Sequence, residues 1–306
     1  MGVKANVLPV AEAATPPAAE LVGLRTRARI PRFRLHVPAT AAEAVALKLR
    51  HPLAWYMAGG IDVVNRMKTG VAVDDLIYLA KIPSLKSIAA AEGGIAIGSG
   101  ATHDEVATSP LVKDGCGGLA AVWARIANPR IRFKGTVGGN IMAAEPGYEA
   151  AALLAAADAR LRFVGAAGAT SLSVDQYLGA GHGLGPETLL DSILILAAPE
   201  RRFIYDRTLK GIAGVVLSAI VSKGRAHDVR VAVSWAYPRP WTKPIKLSGP
   251  IDASGLDASA AELTAAWCAD LPPPVSDHLA SGAYRRRMIE VKLRRGLQAL
   301  AKGMST

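Results

Sequence analysis

The sequence predicts an α/β protein, with mixed α+β character, that is built from two or three compact units. Its 306 residues exceed the usual size of one domain, so separate hydrophobic cores are expected. Hydrophobic residues make up 51% of the chain and aromatic residues 5%, which favours close-packed layers of helices and strands. Patterns typical of strands alternate with patterns typical of helices along the chain.

The N-terminal part begins with an expected extension, residues 1–30, which is rich in Ala and Pro and lacks strong periodicity. A short strand follows at 32–38. Thr40 and Glu43 then form the pattern of a capping box that opens a helix at 41–50. Further elements are predicted as a strand at 54–58, an alternating segment at 71–78, a hairpin at 88–97, helical segments at 103–107, 110–112, 119–126 (ending before Asn128-Pro129) and 150–157, and a strand at 160–164.

A change of composition near Pro199 marks the start of a C-terminal unit. Its elements are predicted as a strand at 203–205, a helix at 210–220, a strand at 229–235 and two final helices. We therefore divide the chain into an N-terminal extension, 1–30, a first lobe, 31–85, a second lobe, 86–198, and a C-terminal αβ domain, 199–306.

Basic residues outnumber acidic ones, with 36 Lys and Arg against 25 Asp and Glu, so the net charge is +11. This balance suits an anionic partner: nucleic acid, a phosphate-bearing cofactor or an acidic protein surface. The main basic cluster, 284–295, has helical spacing without interleaved aromatic residues, which favours a solvated helix face or a subunit contact. We expect no nucleic-acid partner.

Only two cysteines occur, Cys116 and Cys268, far apart and without CxxC spacing. An iron–sulfur cluster needs about four thiolates, so this chain cannot hold one alone. The scarcity of cysteine also fits a reducing compartment. No apolar run is long enough to cross a bilayer and the N-terminus lacks the pattern of a secretory signal. We therefore expect a cytoplasmic protein without a membrane span.

A pair of glycines, Gly59-Gly60, directly follows the predicted strand at 54–58. Because glycine has no Cβ atom, the backbone N–H groups of such a turn can approach a phosphate closely. A Gly-Gly turn that closes a strand is more often structural, so this motif alone indicates little.

A second pair, Gly138-Gly139, is preceded by Thr136 and followed by Asn140. Two such loops could hold the halves of one diphosphate from opposite sides, so together they are more informative than either alone. Neither loop has the GxGxxG spacing of a Rossmann dinucleotide site or the GxxxxGK[ST] spacing of a P-loop. A nicotinamide dinucleotide on a Rossmann fold and a nucleotide hydrolase are therefore disfavoured.

Four segments, in this order, resemble the FAD subunit of molybdenum hydroxylases, a family that includes the medium chain of carbon monoxide dehydrogenase and the flavin domain of xanthine dehydrogenase. They are Ala58–Asp62, Ile97–Val106, Asn128–Arg132 and Thr136–Ile141. The likeness extends over about residues 31–300. It implies an FAD-binding fold of the vanillyl-alcohol-oxidase or PCMH type, formed by the two lobes, together with the C-terminal αβ domain.

The resemblance also implies which residues contact FAD. In the first loop they would wrap the diphosphate, and they are Ala58, Gly59, Gly60, Ile61, Asp62 and Val63. In the second loop they would hold the phosphates and the ribitol from the other side, and they are Thr136, Gly138, Gly139 and Asn140. The remaining implied contacts are Thr102 and His103 near the flavin, Leu190 beside the isoalloxazine ring and Glu149 on the ribose or adenine side.

Three residues depart from the family pattern. Ile61 stands where a hydroxyl residue is usual, so backbone amides would have to hold the phosphate there. Glu149 replaces an aspartate and is one methylene longer. Glu145 puts a carboxylate where a small hydroxyl residue is normal, and a negative charge near the flavin would lower its reduction potential.

Two histidines invite other interpretations. His103-Asp104-Glu105 resembles a metal or acid–base cluster, but neighbours on a helix point about 100° apart, so a capping or surface role is favoured. His182 could be a covalent flavin attachment point, although a loop histidine without a partner rarely has such a role. No pairing of a nucleophile with a base is recognisable. We expect neither a catalytic residue nor a metal site in this chain.

The expected function is electron transfer through FAD within a heteromeric molybdenum hydroxylase. The resemblance implies a large partner subunit with the molybdenum cofactor and a small one with [2Fe-2S] clusters, in a dimer of heterotrimers. Electrons would pass from the clusters to FAD and then to an external acceptor such as NAD, a quinone, a cytochrome or oxygen. The alternatives are a scaffold or binding subunit that keeps the fold without FAD, and a self-contained flavin oxidase.

Overall fold

Three β-sheets with helices packed on them form the part of the chain that the computed structural model describes, which is residue 30, residues 32–179 and residues 184–304. This arrangement confirms the predicted α/β class. The expected N-terminal extension falls almost wholly outside the described residues, and so does His182.

The first sheet is small and parallel. Its strands β1 (Arg34–His36), β2 (Trp55–Met57) and β3 (Asp75–Tyr78) lie in the order β1-β3-β2. Helix α1 (Ala41–Arg50) connects β1 to β2, and α2 (Ile61–Lys68) connects β2 to its neighbour β3; both are the crossover connections that parallel strands require. The chain therefore enters α2 directly from β2, through the first glycine pair.

Helix α1 has the bounds that the sequence predicts. Thr40 caps it, since the Glu43 N–H donates to Thr40 Oγ1 at 3.1 Å. Its apolar face, with Ala44 and Val45, is buried in a cluster that contains Ile77 of the first sheet and Leu189 of the second sheet.

The second sheet has five antiparallel strands in the order β4-β5-β8-β6-β7. They are β4 (Ile88–Ala91), β5 (Gly94–Gly98), β6 (Arg160–Gly165), β7 (Gly168–Ser173) and β8 (Leu189–Leu196). Its helices are α3 (His103–Thr108), α4 (Pro110–Gly115), α5 (Leu119–Trp123), α6 (Pro129–Arg132), α7 (Val137–Ala143), α8 (Ala150–Ala156) and α9 (Val174–Leu178). Two short 3-10 helices, Leu79–Lys81 and Pro83–Lys86, connect the first sheet to β4.

The third sheet is antiparallel in the order β12-β11-β10-β9, with a short strand, β13, also pairing with β11. The strands are β9 (Arg201–Arg207), β10 (Gly214–Ser222), β11 (Arg225–Ser234), β12 (Trp241–Ile245) and β13 (Ile251–Asp252). Two long helices follow, α10 (Ala253–Ala269) and α11 (Gly282–Met304).

The largest hydrophobic core joins the second and third sheets. All seven residues of α8 are buried, and all but Ala151 pack in one cluster with Val216 and Ala232 of the third sheet. The opposite face of that sheet, with Leu217 and Val231, packs on α10 and α11 in a second cluster. The third sheet is therefore covered by helices on both faces.

The predicted helix at 210–220 is wrong, because most of that segment is strand β10. The segment is an apolar run rich in Val and Ile, and its buried residues face helices on both sides of the sheet. Such a run shows neither the alternation of a half-buried strand nor the 3.6-residue period of an amphipathic helix, so its pattern fits either element. The proposed domain boundaries at 85/86 and 198/199 stay a prediction. No helix in the described ranges has the length and apolar character needed to span a membrane.

Candidate functional site

The first glycine loop leaves the start of α2 without a cap. Gly60, the residue before the helix, has a left-handed backbone with φ of +76°, and no side chain caps the first turn. Among the described residues, none accepts a hydrogen bond from the N–H groups of Gly60, Ile61, Asp62 or Val63. These donors lie at the positive end of the helix dipole, so they can bind an anion.

Gly59 is packed against the segment that leads into the second loop. A Cβ atom at this position would lie 1.7 Å from the backbone oxygen of Lys134 and 3.4 Å from the Cα of Gly135. The glycine is therefore required by the close approach of two protein backbones. A side chain here would separate the two loops whether or not a ligand is bound.

The second glycine loop forms the first turn of α7, and its backbone donors are already used. Thr136 caps the helix by accepting from the Gly139 N–H at 3.1 Å. The N–H groups of Val137 and Gly138 donate to the carbonyls of Ala101 and Ser99, at 2.9 and 2.7 Å. This loop can offer a ligand side-chain groups, but not the free amides of its first turn.

Asn140 is the residue of the second loop that is best placed to offer a side-chain group to a ligand. Its Oδ1 accepts from the Ala150 N–H at 3.1 Å, which leaves the side-chain NH2 group available as a donor. The side chain is half-buried. Thr136, in contrast, is buried, and its hydroxyl oxygen accepts the capping hydrogen bond.

The turn from β5 into α3 is a third segment at this site. Thr102 forms an isolated β-bridge with Thr136, and the His103 N–H donates to the Gly135 carbonyl at 3.0 Å. Thr102 and Glu105 form a complete capping box on α3. The structure thus brings Thr102 and His103 into contact with the second loop.

His103 is buried, so of the capping or surface role expected for residues 103–105 the structure shows capping, by Glu105, and no surface role for the histidine. It is 1% exposed, its ring centroid lies 6.0 Å from that of Trp123, and its Nδ1 has no partner among the described groups. Burial, with a smaller effect of the nearby Arg132 charge, lowers the pKa of His103 to about 4. The ring is therefore neutral at physiological pH.

Glu149 and Leu190 are turned into the interior. Leu190 is 1% exposed in the core of the second sheet. Glu149 is 4% exposed; its carboxylate accepts from the Tyr205 hydroxyl and from the Ala127 N–H, the latter at 3.4 Å, and lies 3.7 Å from Arg207 Nε. Burial raises the pKa of Glu149 to about 7. Neither side chain lines the surface formed by the loops.

A polar cluster beside the first loop was not predicted. Arg66 Nε donates to Asp62 Oδ2 at 2.7 Å, and the other end of its guanidinium forms an ion pair with Glu145. The Tyr148 hydroxyl donates to Asp62 Oδ1 at 3.2 Å. We call these four residues the Arg66 cluster. It ties α2 to the segment after α7, and Arg66 offsets the Glu145 charge that the sequence led us to expect near a flavin.

The sequence indicates only one of the two ion pairs that Arg66 forms in this cluster. Asp62 and Arg66 are four residues apart on one helix, a spacing that predicts an ion pair. Glu145 is 79 residues further along the chain than Arg66, and no local pattern connects the two.

Comparison with known proteins shows extended similarity. A sequence profile of the FAD binding domain in molybdopterin dehydrogenase matches residues 31–195. The carbon monoxide dehydrogenase medium chain of Afipia carboxidovorans is 28% identical over 280 residues, which cover 87% of this chain and 96% of that relative. The nicotine 6-hydroxylase medium subunit of Paenarthrobacter nicotinovorans is 23% identical, with 87% and 96% covered.

Solved structures give the same result for the fold. A chain of the carbon monoxide dehydrogenase of Hydrogenophaga pseudoflava superposes with a TM-score of 0.78 at 25% identity, covering 90% of this chain and 99% of its own length. The similarity therefore includes all three sheets and is not limited to the glycine loops.

Proposed function

Because the chain belongs to the family of FAD binding domains in molybdopterin dehydrogenases, we propose that it passes electrons through bound FAD within a heteromeric molybdenum hydroxylase. It is an FAD-binding medium subunit of this group of oxidoreductases. The resemblance drawn from the four sequence segments is thereby confirmed, and so is FAD as the cofactor.

Bound FAD supplies the redox chemistry, so the chain's own residues bind and orient it. The observation that carries our assignment is the uncapped start of α2. The free N–H groups from Gly60 to Val63 fit a diphosphate, because they offer converging donors at a helix N-terminus where no side chain competes. They would also compensate for the missing hydroxyl at Ile61.

The second loop has a different role in this proposal. Its backbone donors are used within the protein, so the Asn140 NH2 group would be its contact with the cofactor. Thr102 and His103 would hold that loop in position through the Thr102–Thr136 bridge and the His103 N–H. Glu149 and Leu190 would support the site from the interior without touching FAD.

The partners belong to the same proposal: a large subunit with the molybdenum cofactor, a small subunit with [2Fe-2S] clusters, a dimer of heterotrimers and an external electron acceptor. Cys116 and Cys268 are both free and buried, and burial raises the pKa of each thiol to about 11. Since a cluster needs about four thiolates, this supports clusters on another subunit. The two unpaired thiols also support a cytoplasmic location.

A charge at position 61 tests the diphosphate assignment without disturbing the fold. The Ile61 side chain is 37% exposed and begins α2, where a glutamate interacts favourably with the helix dipole. In Ile61→Glu the new carboxylate would lie beside the diphosphate. We expect the affinity for FAD to fall by about 10- to 100-fold, measured by flavin fluorescence during reconstitution of the flavin-free chain.

The matched control is Ile61→Gln, which has nearly the same shape without the charge and should bind FAD like the natural chain. Leu111→Glu adds the same charge to an exposed position at the start of α4 and should have no effect. Equal affinities in the Glu and Gln variants at 61 would refute the assignment. A purified chain that shows no flavin absorption and binds no added FAD would favour the scaffold alternative.

A further inference from the structure

Two histidines and an aspartate from three different elements meet at the edge of the first sheet. His36 is the last residue of β1, His51 is the C-cap of α1 and Asp75 is the first residue of β3. One potential ligand atom from each lies within 4.8 Å of the other two. We call these residues the His36–His51–Asp75 cluster; it is separate from both glycine loops in sequence.

The cluster is ordered by contacts around Asp75. Asp75 Oδ1 lies 2.8 Å from His36 Nε2, and Asp75 Oδ2 accepts from Arg34 at 2.7 Å. The rings of His36 and His51 are adjacent, with centroids 4.6 Å apart. The side chains of His36 and Asp75 are 20% and 10% exposed, so the cluster is sheltered but can be reached from solvent.

His51 is the residue that a simple hydrogen-bonded pair does not explain. The contact between His36 and Asp75 is complete without it, and within the described chain the His51 imidazole forms no hydrogen bond. Its ring nevertheless lies against His36 and close to the Asp75 carboxylate. Two imidazoles and one carboxylate form a donor set that first-row divalent metal ions bind, with positions left for water.

We propose that His36, His51 and Asp75 bind one divalent transition-metal ion. The ion we assign is Zn²⁺, which has no redox chemistry and which imidazole and carboxylate ligands bind. Asp75 Oδ1 would bind the ion while Arg34 keeps Oδ2 and so orients the carboxylate. The ion would join β1, the end of α1 and β3. Because β1 is an edge strand of only three residues, such a tie would hold it on the sheet.

The test is a Zn²⁺ titration of the full chain after treatment with a chelator, followed by calorimetry. We expect one ion per chain and a higher melting temperature with Zn²⁺ than without it. In His51→Gln the affinity should fall by at least about 10-fold, while the melting temperature without metal should not change. His278→Gln, the same change at an exposed histidine outside the cluster, should bind Zn²⁺ like the natural chain.

A second measurement does not depend on any variant. X-ray absorption of the Zn²⁺-loaded chain should show imidazole nitrogens at about 2.0–2.1 Å from the metal. Absence of stoichiometric binding, or a His51→Gln variant that binds as tightly as the natural chain, would overturn the proposal. Neither result depends on FAD or on partner subunits, so the outcome is independent of the proposed electron-transfer function.

Discussion

Glu149 is a buried acid whose ionisation should make the stability of the protein depend on pH. Burial raises its pKa from 4.5 to about 7, so the folded chain holds a proton that the unfolded chain has released. The stability that the protonated acid contributes is complete below about pH 4.5 and is lost as the pH rises through 7. At higher pH the loss amounts to about 3 kcal/mol.

Glu149→Gln should remove this part of the pH dependence, because glutamine does not titrate. Measured by urea denaturation from pH 4.5 to 8, the free energy of unfolding of the natural chain should decline relative to that of the variant. The comparison between the two chains cancels the opposite contribution of His103, whose lowered pKa gives stability that is present above pH 6.5 and lost as the pH falls through 4. Glu262→Gln, at an exposed position of α10, is the control and should leave the pH profile unchanged. A parallel decline in the Glu149→Gln variant would contradict the proposed titration.

Individual residues also show why the candidate site could be predicted only in part from the sequence. The sequence indicates the loop at Gly59 and Gly60, because the absence of a Cβ atom follows from the residue type alone. What Gly59 packs against, the backbone oxygen of Lys134, depends on the fold. The Arg66 pair with Glu145 and the His36–His51–Asp75 cluster likewise join positions far apart in the chain. No local spacing indicates such contacts.

At the scale of elements, the sequence predicts best where local signals are complete. Helix α1 has its cap, its apolar face and basic residues in its last turn, and its bounds are as predicted. Strand β10 has only a continuous apolar run, which fits either structure until its two packing partners are known. Helix α5 ends at Trp123, ahead of Pro129, and Pro129 itself begins α6, where the first-turn position has no need of an N–H donor.

Arg285 links helix α11 to the third sheet, although it belongs to the basic cluster 284–295 for which the sequence favours a solvated helix face or a subunit contact. Arg285 is 1% exposed and donates to the carbonyls of Ile212 and Trp235, at 2.6 and 2.7 Å. Its second terminal nitrogen binds both carboxylate oxygens of Asp277, at 2.7 and 2.6 Å. The basic pattern predicted a solvated helix face or a subunit contact, and Arg285 lies in neither, because it is buried within the chain.

Arg285→Lys should therefore destabilise the protein although it keeps the charge. A lysine ammonium cannot reproduce the planar fork that serves two carbonyls and a carboxylate at once, so we expect a loss of about 2–4 kcal/mol in the free energy of unfolding. The control on the same helix is Arg287→Lys, since the Arg287 side chain is 68% exposed and its contact with Glu290 is 3.5 Å long. That change should cost less than about 0.5 kcal/mol. Similar urea midpoints for the two variants would show that the hydrogen bonds of the buried Arg285 guanidinium contribute little to the free energy of unfolding.

At the scale of the whole molecule, the second and third sheets share one core across the predicted boundary at 198/199. Helix α8 is buried between them, and the Ser218 hydroxyl on β10 donates to the carbonyl of Ala156 at 2.5 Å. Arg125 donates to the carbonyl of Tyr205 at 2.7 Å across the same junction. Removing the third sheet would expose the whole apolar face of α8 that now packs on it.

Strands β8 and β10, each inside its own sheet, should consequently lose protection against hydrogen exchange together. Native-state exchange at increasing urea, followed by mass spectrometry of the two strand peptides, should give the same free energy of opening for both, because neither sheet keeps its core without the other. Strand β1 provides an internal comparison: it is a short edge strand that packs outside the shared core, so its amides should exchange at a lower free energy. If β10 opened at clearly lower free energy than β8, residues 199–306 would be a separate cooperative unit. In that case the burial of α8 would not couple the cofactor-binding lobe to the C-terminal sheet.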